Sequence, residues 1–86
     1  MGSAGGSFVL MPNPGKDHVD IAFNAGMGTV LSISLVNAQG QELRHIAPAN
    51  GADRVSIDLS GLAQGVYYVQ ARTAQGIGTR TLVKGE

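Results

Sequence analysis

Apolar residues in this chain recur at every second position. Val19, Ile21 and Phe23 alternate with His18, Asp20 and Ala22, and Leu31, Ile33 and Leu35 with Ser32, Ser34 and Val36. Further on, Val55, Ile57 and Leu59 alternate with Arg54, Ser56 and Asp58, and Tyr67, Val69 and Ala71 with Tyr68, Gln70 and Arg72. Side chains of an extended strand point to opposite faces in turn, so each segment offers an apolar face to a core and a polar face to water. No apolar period of 3.6 residues persists over about ten residues, which leaves no amphipathic helix to expect.

Turn residues cut the pattern into short pieces. Phe8–Met11 is a brief apolar run, and Pro12 pushes Met11 into extended geometry. Asn13-Pro14-Gly15-Lys16 fits a type II turn, with proline presetting φ and glycine supplying the positive φ that follows. Asn24–Gly28 is a breaker, and Asn37-Ala38-Gln39-Gly40-Gln41 is a hairpin loop with Gly40 suited to the left-handed position. Glu42–Ile46 returns as a strand of poorer pattern, with Leu43 and Ile46 on opposite faces, as expected near a sheet edge. Pro48 and Gly51 mark the loop Ala47–Asp53. Ser60–Gly65 makes a tight corner, one helical turn at most, and Ala74-Gln75-Gly76 turns the chain into a last strand, Ile77–Lys84. Six or seven short strands at intervals of about 8–12 residues predict an all-β chain folded as a small antiparallel sandwich. The leading MGSAGGS is small and featureless and reads as a flexible leader, so the domain is expected to span 8–86 as part of a longer polypeptide.

The totals exclude several classes of function. A chain of 86 residues has room for one domain with a small core. Six basic and six acidic residues give a net charge of zero, without the footprint of a nucleic-acid binder. There is no cysteine for a disulfide, a thiolate metal site or a nucleophile. Apolar runs of four or five residues are far short of a membrane span, so no direct membrane insertion is expected. The start carries no basic stretch followed by an apolar one, as a signal peptide would.

Chemical sites are weighed residue by residue. Lys16, Asp17, His18 and Asp20 cluster in sequence, and His18 and Asp20 would lie about 7 Å apart on one exposed strand face. A metal needs about three or four converging ligands, and the only other histidine is His45, so a solvated face is the expected reading. Ser56 or Ser60, His18 or His45, and Asp58 can be set on paper as a hydrolytic triad, but no serine sits in a GxSxG elbow. Gly26-Met27-Gly28 and Gly76-Ile77-Gly78 lack the lysine and helix start of a phosphate loop. Neither catalysis nor any metal or cofactor is therefore expected. Tyr67 belongs to the core with its hydroxyl on a backbone partner, while Tyr68 faces out. An adhesion or carbohydrate-binding accessory module is an alternative reading, weakened by the scarcity of exposed aromatics.

Several of these residues, in order, resemble a known family. Pro12-Asn13-Pro14 stands ahead of the first alternating strand; Leu35, Gly40 and Leu43 match an LxxxxGxxV-like hairpin; Gly65 and Tyr67 form a GxY strand motif; TLVKGE closes the chain. Together they resemble the type A C-terminal sorting domain of the type IX secretion system of Bacteroidota, over Phe8 to Val83. The resemblance implies an immunoglobulin-like sandwich of about seven strands at the C-terminus of a secreted cargo. It implies no catalysis, passage through the periplasm, and recognition by the translocon and outer-membrane shuttle proteins. A sortase then cuts upstream of Phe8, and the cargo ends at the cell surface or outside. Leu43 stands where the family usually has valine, a change of similar volume. Gly85 and Glu86 follow Lys84 where the family often ends on basic and apolar residues. An open sheet edge can be extended by a partner strand, and the last strand, with Arg80, Leu82, Val83 and Lys84, is the expected recognition surface together with the hairpin around Gly40.

Overall fold

The computed structural model describes residues 8–12, 16–23, 29–49, 52–74 and 76–85. Seven strands follow one another: β1 (Phe8–Met11), β2 (His18–Phe23), β3 (Val30–Val36), β4 (Glu42–Ile46), β5 (Arg54–Asp58), β6 (Gly65–Thr73) and β7 (Gly76–Lys84). All pairings are antiparallel, and no helix occurs among the described residues. One sheet has the order β1-β2-β5 and the other β4-β3-β6-β7. This is the connectivity of an immunoglobulin-like sandwich in which the fourth strand joins β3 instead of β5.

The alternation read from the sequence meets in the middle, except at Leu31. That residue is exposed while Val30 is buried, where the pairing of β3 with β6 shifts between Val30 and Ser32. Val19, Ile21, Ile57 and Leu59 of the first sheet face Ile33, Leu35, Val69, Ala71 and Leu82 of the second, all essentially without solvent contact. Leu59 lies one residue beyond β5 yet keeps the inward phase of that strand. Phe8 joins this core from β1 and Tyr67 from β6. Burying side chains of this size stabilises the fold by about 1.5–3 kcal/mol each relative to exposure, an upper figure because denatured chains are not fully extended.

Local chemistry fixes the ends of the elements. In the β3–β4 hairpin, Gly40 N–H donates to the Asn37 carbonyl (3.0 Å), and the Asn37 side-chain oxygen accepts from the backbone N–H of Gln39 (3.0 Å) and Gln41 (2.9 Å). Gly40 closes the loop at φ +85°, the left-handed position expected of it, where a side chain would be strained. At the β5–β6 corner, Leu62 N–H donates to the Leu59 carbonyl (3.2 Å), and the chain makes a turn, not a helical turn. Tyr67 at the start of β6 donates its hydroxyl to the Ala63 carbonyl at 2.6 Å, the tyrosine corner of such sandwiches. The expected type II turn at Asn13-Pro14-Gly15-Lys16, the Asn24–Gly28 breaker and the Met1–Ser7 leader lie outside, or largely outside, the described residues.

Strand β4 departs from the simple alternation. Leu43 and Ile46 do not divide between two faces; both pack against the core. The pairing of β3 with β4 shifts between Leu35 and Val36, from Leu35 opposite Arg44 to Val36 opposite Glu42, so that Leu43 has no opposite residue. A bulge of this kind resets the phase of the strand and turns Leu43 inward. The edge position expected of β4 holds.

Replacing Tyr67 by phenylalanine removes only the corner hydrogen bond. The expected loss is about 1 kcal/mol, read as a fall in Tm of about 4–8 °C by calorimetry. Leu82→Ala is expected to cost about 2–5 kcal/mol in urea unfolding, because it leaves a hole at a fully buried point.

Candidate functional site

Two sheets stacked without closure leave two open seams, and an arginine crosses each. On one side β4 faces the end of β5. There Arg44 donates from Nε to the Asp58 carbonyl, from Nη2 to the Ser60 carbonyl and from Nη1 to the Leu43 carbonyl, each at 3.0 Å. On the other side β7 faces β1. There Arg80 donates from Nε to the Phe8 carbonyl at 3.1 Å, and its guanidinium carbon stands 6.0 Å from the centre of the Phe8 ring. The planar guanidinium suits both tasks, since it can serve several acceptors and lie over an aromatic face. A groove of about 520 Å³ runs along the second seam, lined by Phe8, Val9, Leu10, Thr79, Arg80 and Thr81.

Strand β7 ends the four-stranded sheet and pairs with β6 along nine residues, from Gly65 opposite Lys84 to Thr73 opposite Gly76. The four residues expected to form a recognition strand occupy different environments. Leu82 is fully buried, opposite Tyr67, and Arg80 is turned to the β1 seam. Val83 is 40% exposed and lies opposite Val66, itself 46% exposed, so the two form an apolar pair on the outer face. Lys84 donates from Nζ to the Gly85 carbonyl at 3.3 Å. Elsewhere on that outer face the polar side chains of Ser32, Ser34, Glu42, His45, Gln70 and Arg72, with the exposed Ile77, line a hollow of about 220 Å³, with His45 Nδ1 at 3.2 Å from Glu42 Oε2.

The charged cluster that follows the prolines is not drawn together as a chemical centre. Pro12, Lys16, Asp17 and His18 line a shallow hollow of about 300 Å³, and among the described residues no three His, Asp or Glu side chains converge. What this segment holds is backbone: the Asp17 carbonyl accepts from the Leu59 N–H at 2.8 Å, tying the entry to β2 to the end of β5.

Residues 9–85 match the family model described as the secretion system C-terminal sorting domain. The chain belongs to this family. No curated protein matches the chain. Members of the family are C-terminal tails of cargo proteins recognised by the type IX secretion system, and such cargo ends at the cell surface or outside the cell. Nothing in the comparison supports the accessory-module alternative.

The positions that carry the resemblance sit at structural joints. Leu35 is in the core, Leu43 packs against it through the β4 bulge, and Gly40 closes the hairpin between them. Gly65 opens β6 at φ +149°, with open space where a Cβ would stand; backbone angle, not crowding, is what asks for glycine there. Tyr67 makes the corner. Pro12 follows β1, while Asn13 and Pro14 fall outside the described residues.

Sequence reading does not single out Arg44, whose partners stand 14 and 16 residues downstream. Beside it, the Ser60 backbone N–H donates to Asp58 Oδ1 at 2.9 Å. That bond, a further one from the Ser60 side chain and the Arg44 charge hold the Asp58 carboxyl below its ordinary value. A carboxyl lowered in the folded state adds stability at pH above its unfolded value and loses it as pH falls through the folded one. Asp58→Asn should therefore lower Tm by a constant amount between about pH 5 and 7, with the gap to wild type closing below about pH 4. Thermal melts across that range read the effect directly.

Proposed function

We propose that this sorting domain works as a non-catalytic address. It carries an attached cargo from the periplasm across the outer membrane, is read along β7 by the translocon and its outer-membrane shuttle proteins, and is severed ahead of Phe8 by a surface sortase. The family match over residues 9–85 carries this reading. The β7 surface supports the finer part: it ends a sheet, and it presents the Val66–Val83 apolar pair on its outer face, with Lys84 next in the chain. A strand at a sheet edge offers a partner both a ladder to extend and alternate side chains to read. On this reading Val83 and Lys84 make the contact, while Leu82 and Arg80 hold β7 in position. The hairpin around Gly40, at the opposite edge of the same sheet, gives a second point of contact.

The test is a periplasmic reporter fused, through the natural upstream linker, to residues 8–86 in a host that has the type IX system. The reporter is expected outside the outer membrane and free of this domain. Deleting Leu82–Glu86 should abolish export, although it also removes a core side chain. The double variant Val66→Ser, Val83→Ser separates the two effects, because both positions are exposed and changes there leave stability within about 0.5 kcal/mol. It should export at least about tenfold less than wild type, equivalent to losing about 1.4 kcal/mol of recognition. Full export by the double variant removes β7 as the recognition strand, and a wild-type reporter retained in the periplasm removes the sorting reading itself.

A further inference from the structure

We propose that Arg80 is a positioning residue for the junction between domain and cargo: it fastens β1 against β7 and so sets how far the polypeptide ahead of Phe8 is open to cleavage. This rests on the reading that cleavage falls ahead of Phe8. Strand β1 is only four residues long and is bonded to one neighbour, β2. It is the shortest strand of the sandwich and the one that adjoins the cargo side of the chain. Across the seam its contacts with β7 are few and centre on Phe8. Arg80 takes the Phe8 carbonyl and lies near the Phe8 ring. Gly78, two residues earlier on the same face of β7, lies against that ring; a Cβ there would stand 3.4 Å from its Cε1 atom, in van der Waals contact.

These contacts join residues 72 positions apart and bear on the first residue of β1. With them in place, Phe8 is 2% exposed and the polypeptide leaves the sandwich from a fixed point. Without the Arg80 bond, β1 keeps its ladder to β2 and the packing of Phe8 and Leu10 on the core but loses its hydrogen bond to β7, and its Phe8 end frays more often, as the end of a short edge strand does readily. A protease needs an extended, detachable backbone, so fraying lengthens the accessible segment into the domain. The latch thereby sets where the accessible segment stops.

The experiment uses a purified cargo–domain fusion, so its outcome does not depend on the secretion system. Arg80→Gln is compared with wild type and with Arg72→Gln, which removes the same charge from the outer face of β6. Amide hydrogen exchange is followed in β1 and β6, and cleavage around Phe8 is mapped with a protease of broad specificity. A hydrogen bond from a charged donor predicts exchange at Phe8–Met11 about 10- to 100-fold faster in Arg80→Gln alone, with β6 unchanged. New cuts should appear within residues 8–11. Exchange that rises equally in β1 and β6 makes Arg80 a support of the whole sandwich and overturns the proposal, as does unchanged exchange in β1. Gly78→Val, which pushes a side chain against the Phe8 ring from the same face of β7, should reproduce the β1 effect; a β1 as protected as wild type in that variant also counts against the latch. In cells, loss of sortase release from wild type overturns the cleavage reading, while the exchange data still decide whether Arg80 fastens β1.

Discussion

The two sheets share no cross-link, since the chain has no cysteine, and their union depends on what passes between them through space. Most of it is apolar packing among side chains that alternate inward from every strand. Such packing has no direction of its own and tolerates sliding of one sheet over the other. Arg44 and Arg80 supply the directional part, each joining a strand of one sheet to backbone carbonyls of the other. Hydrogen bonds to a charged donor are worth more than neutral ones, about 1.5–3 kcal/mol where solvent is partly excluded, as at Arg80, and less at the exposed bonds of Arg44 to Asp58 and Ser60. In a domain of this size, the Arg80 bridge alone weighs appreciably against a total stability of about 5–15 kcal/mol.

Much of the fold is legible in the order of the amino acids. Period-two alternation places Val19, Ile21, Ile33, Leu35, Ile57, Leu59, Tyr67 and Val69 inward, because the pleat allows a strand only two faces. Gly40 is readable because only a few loop geometries join two antiparallel strands. Leu43 and Ile46 do not follow the alternation because a bulge changes the phase of β4, and its cause, the pairing with β3, is not local to β4. The arginine bridges are hidden for a related reason. Nothing near Arg44 or Arg80 in sequence marks the carbonyl each will meet, and for Arg80 that carbonyl lies at the other end of the chain.

The functional surface is less readable than the family. The residues that carry the resemblance, Leu35, Gly40, Leu43, Gly65 and Tyr67, are turns, joints and core positions. They identify the sorting domain by identifying its fold. A recognition surface needs no periodicity and no special backbone angle, so Val83 and Lys84 carry no comparable mark in the sequence. The four residues expected to act together on β7 divide in the structure between inside and outside, and this division follows from the same alternation that built the sheet.

Synthesis order gives the place of β7 a consequence. A ribosome delivers β1 first, yet the carbonyl of Phe8 finds its guanidinium only when Arg80 has emerged, and Tyr67 gains Leu82 as its neighbour later still. Strands β2 and β3 must also wait for β5 and β6. Contacts between residues so far apart slow folding, because the chain loses much freedom before any of them forms. Of the seven strands, the one that completes the sandwich is therefore the one translated last. A chain cut short within β7 would carry nearly all of the domain's sequence and still lack the closed shape, so the finished fold reports that translation has passed through its final strand.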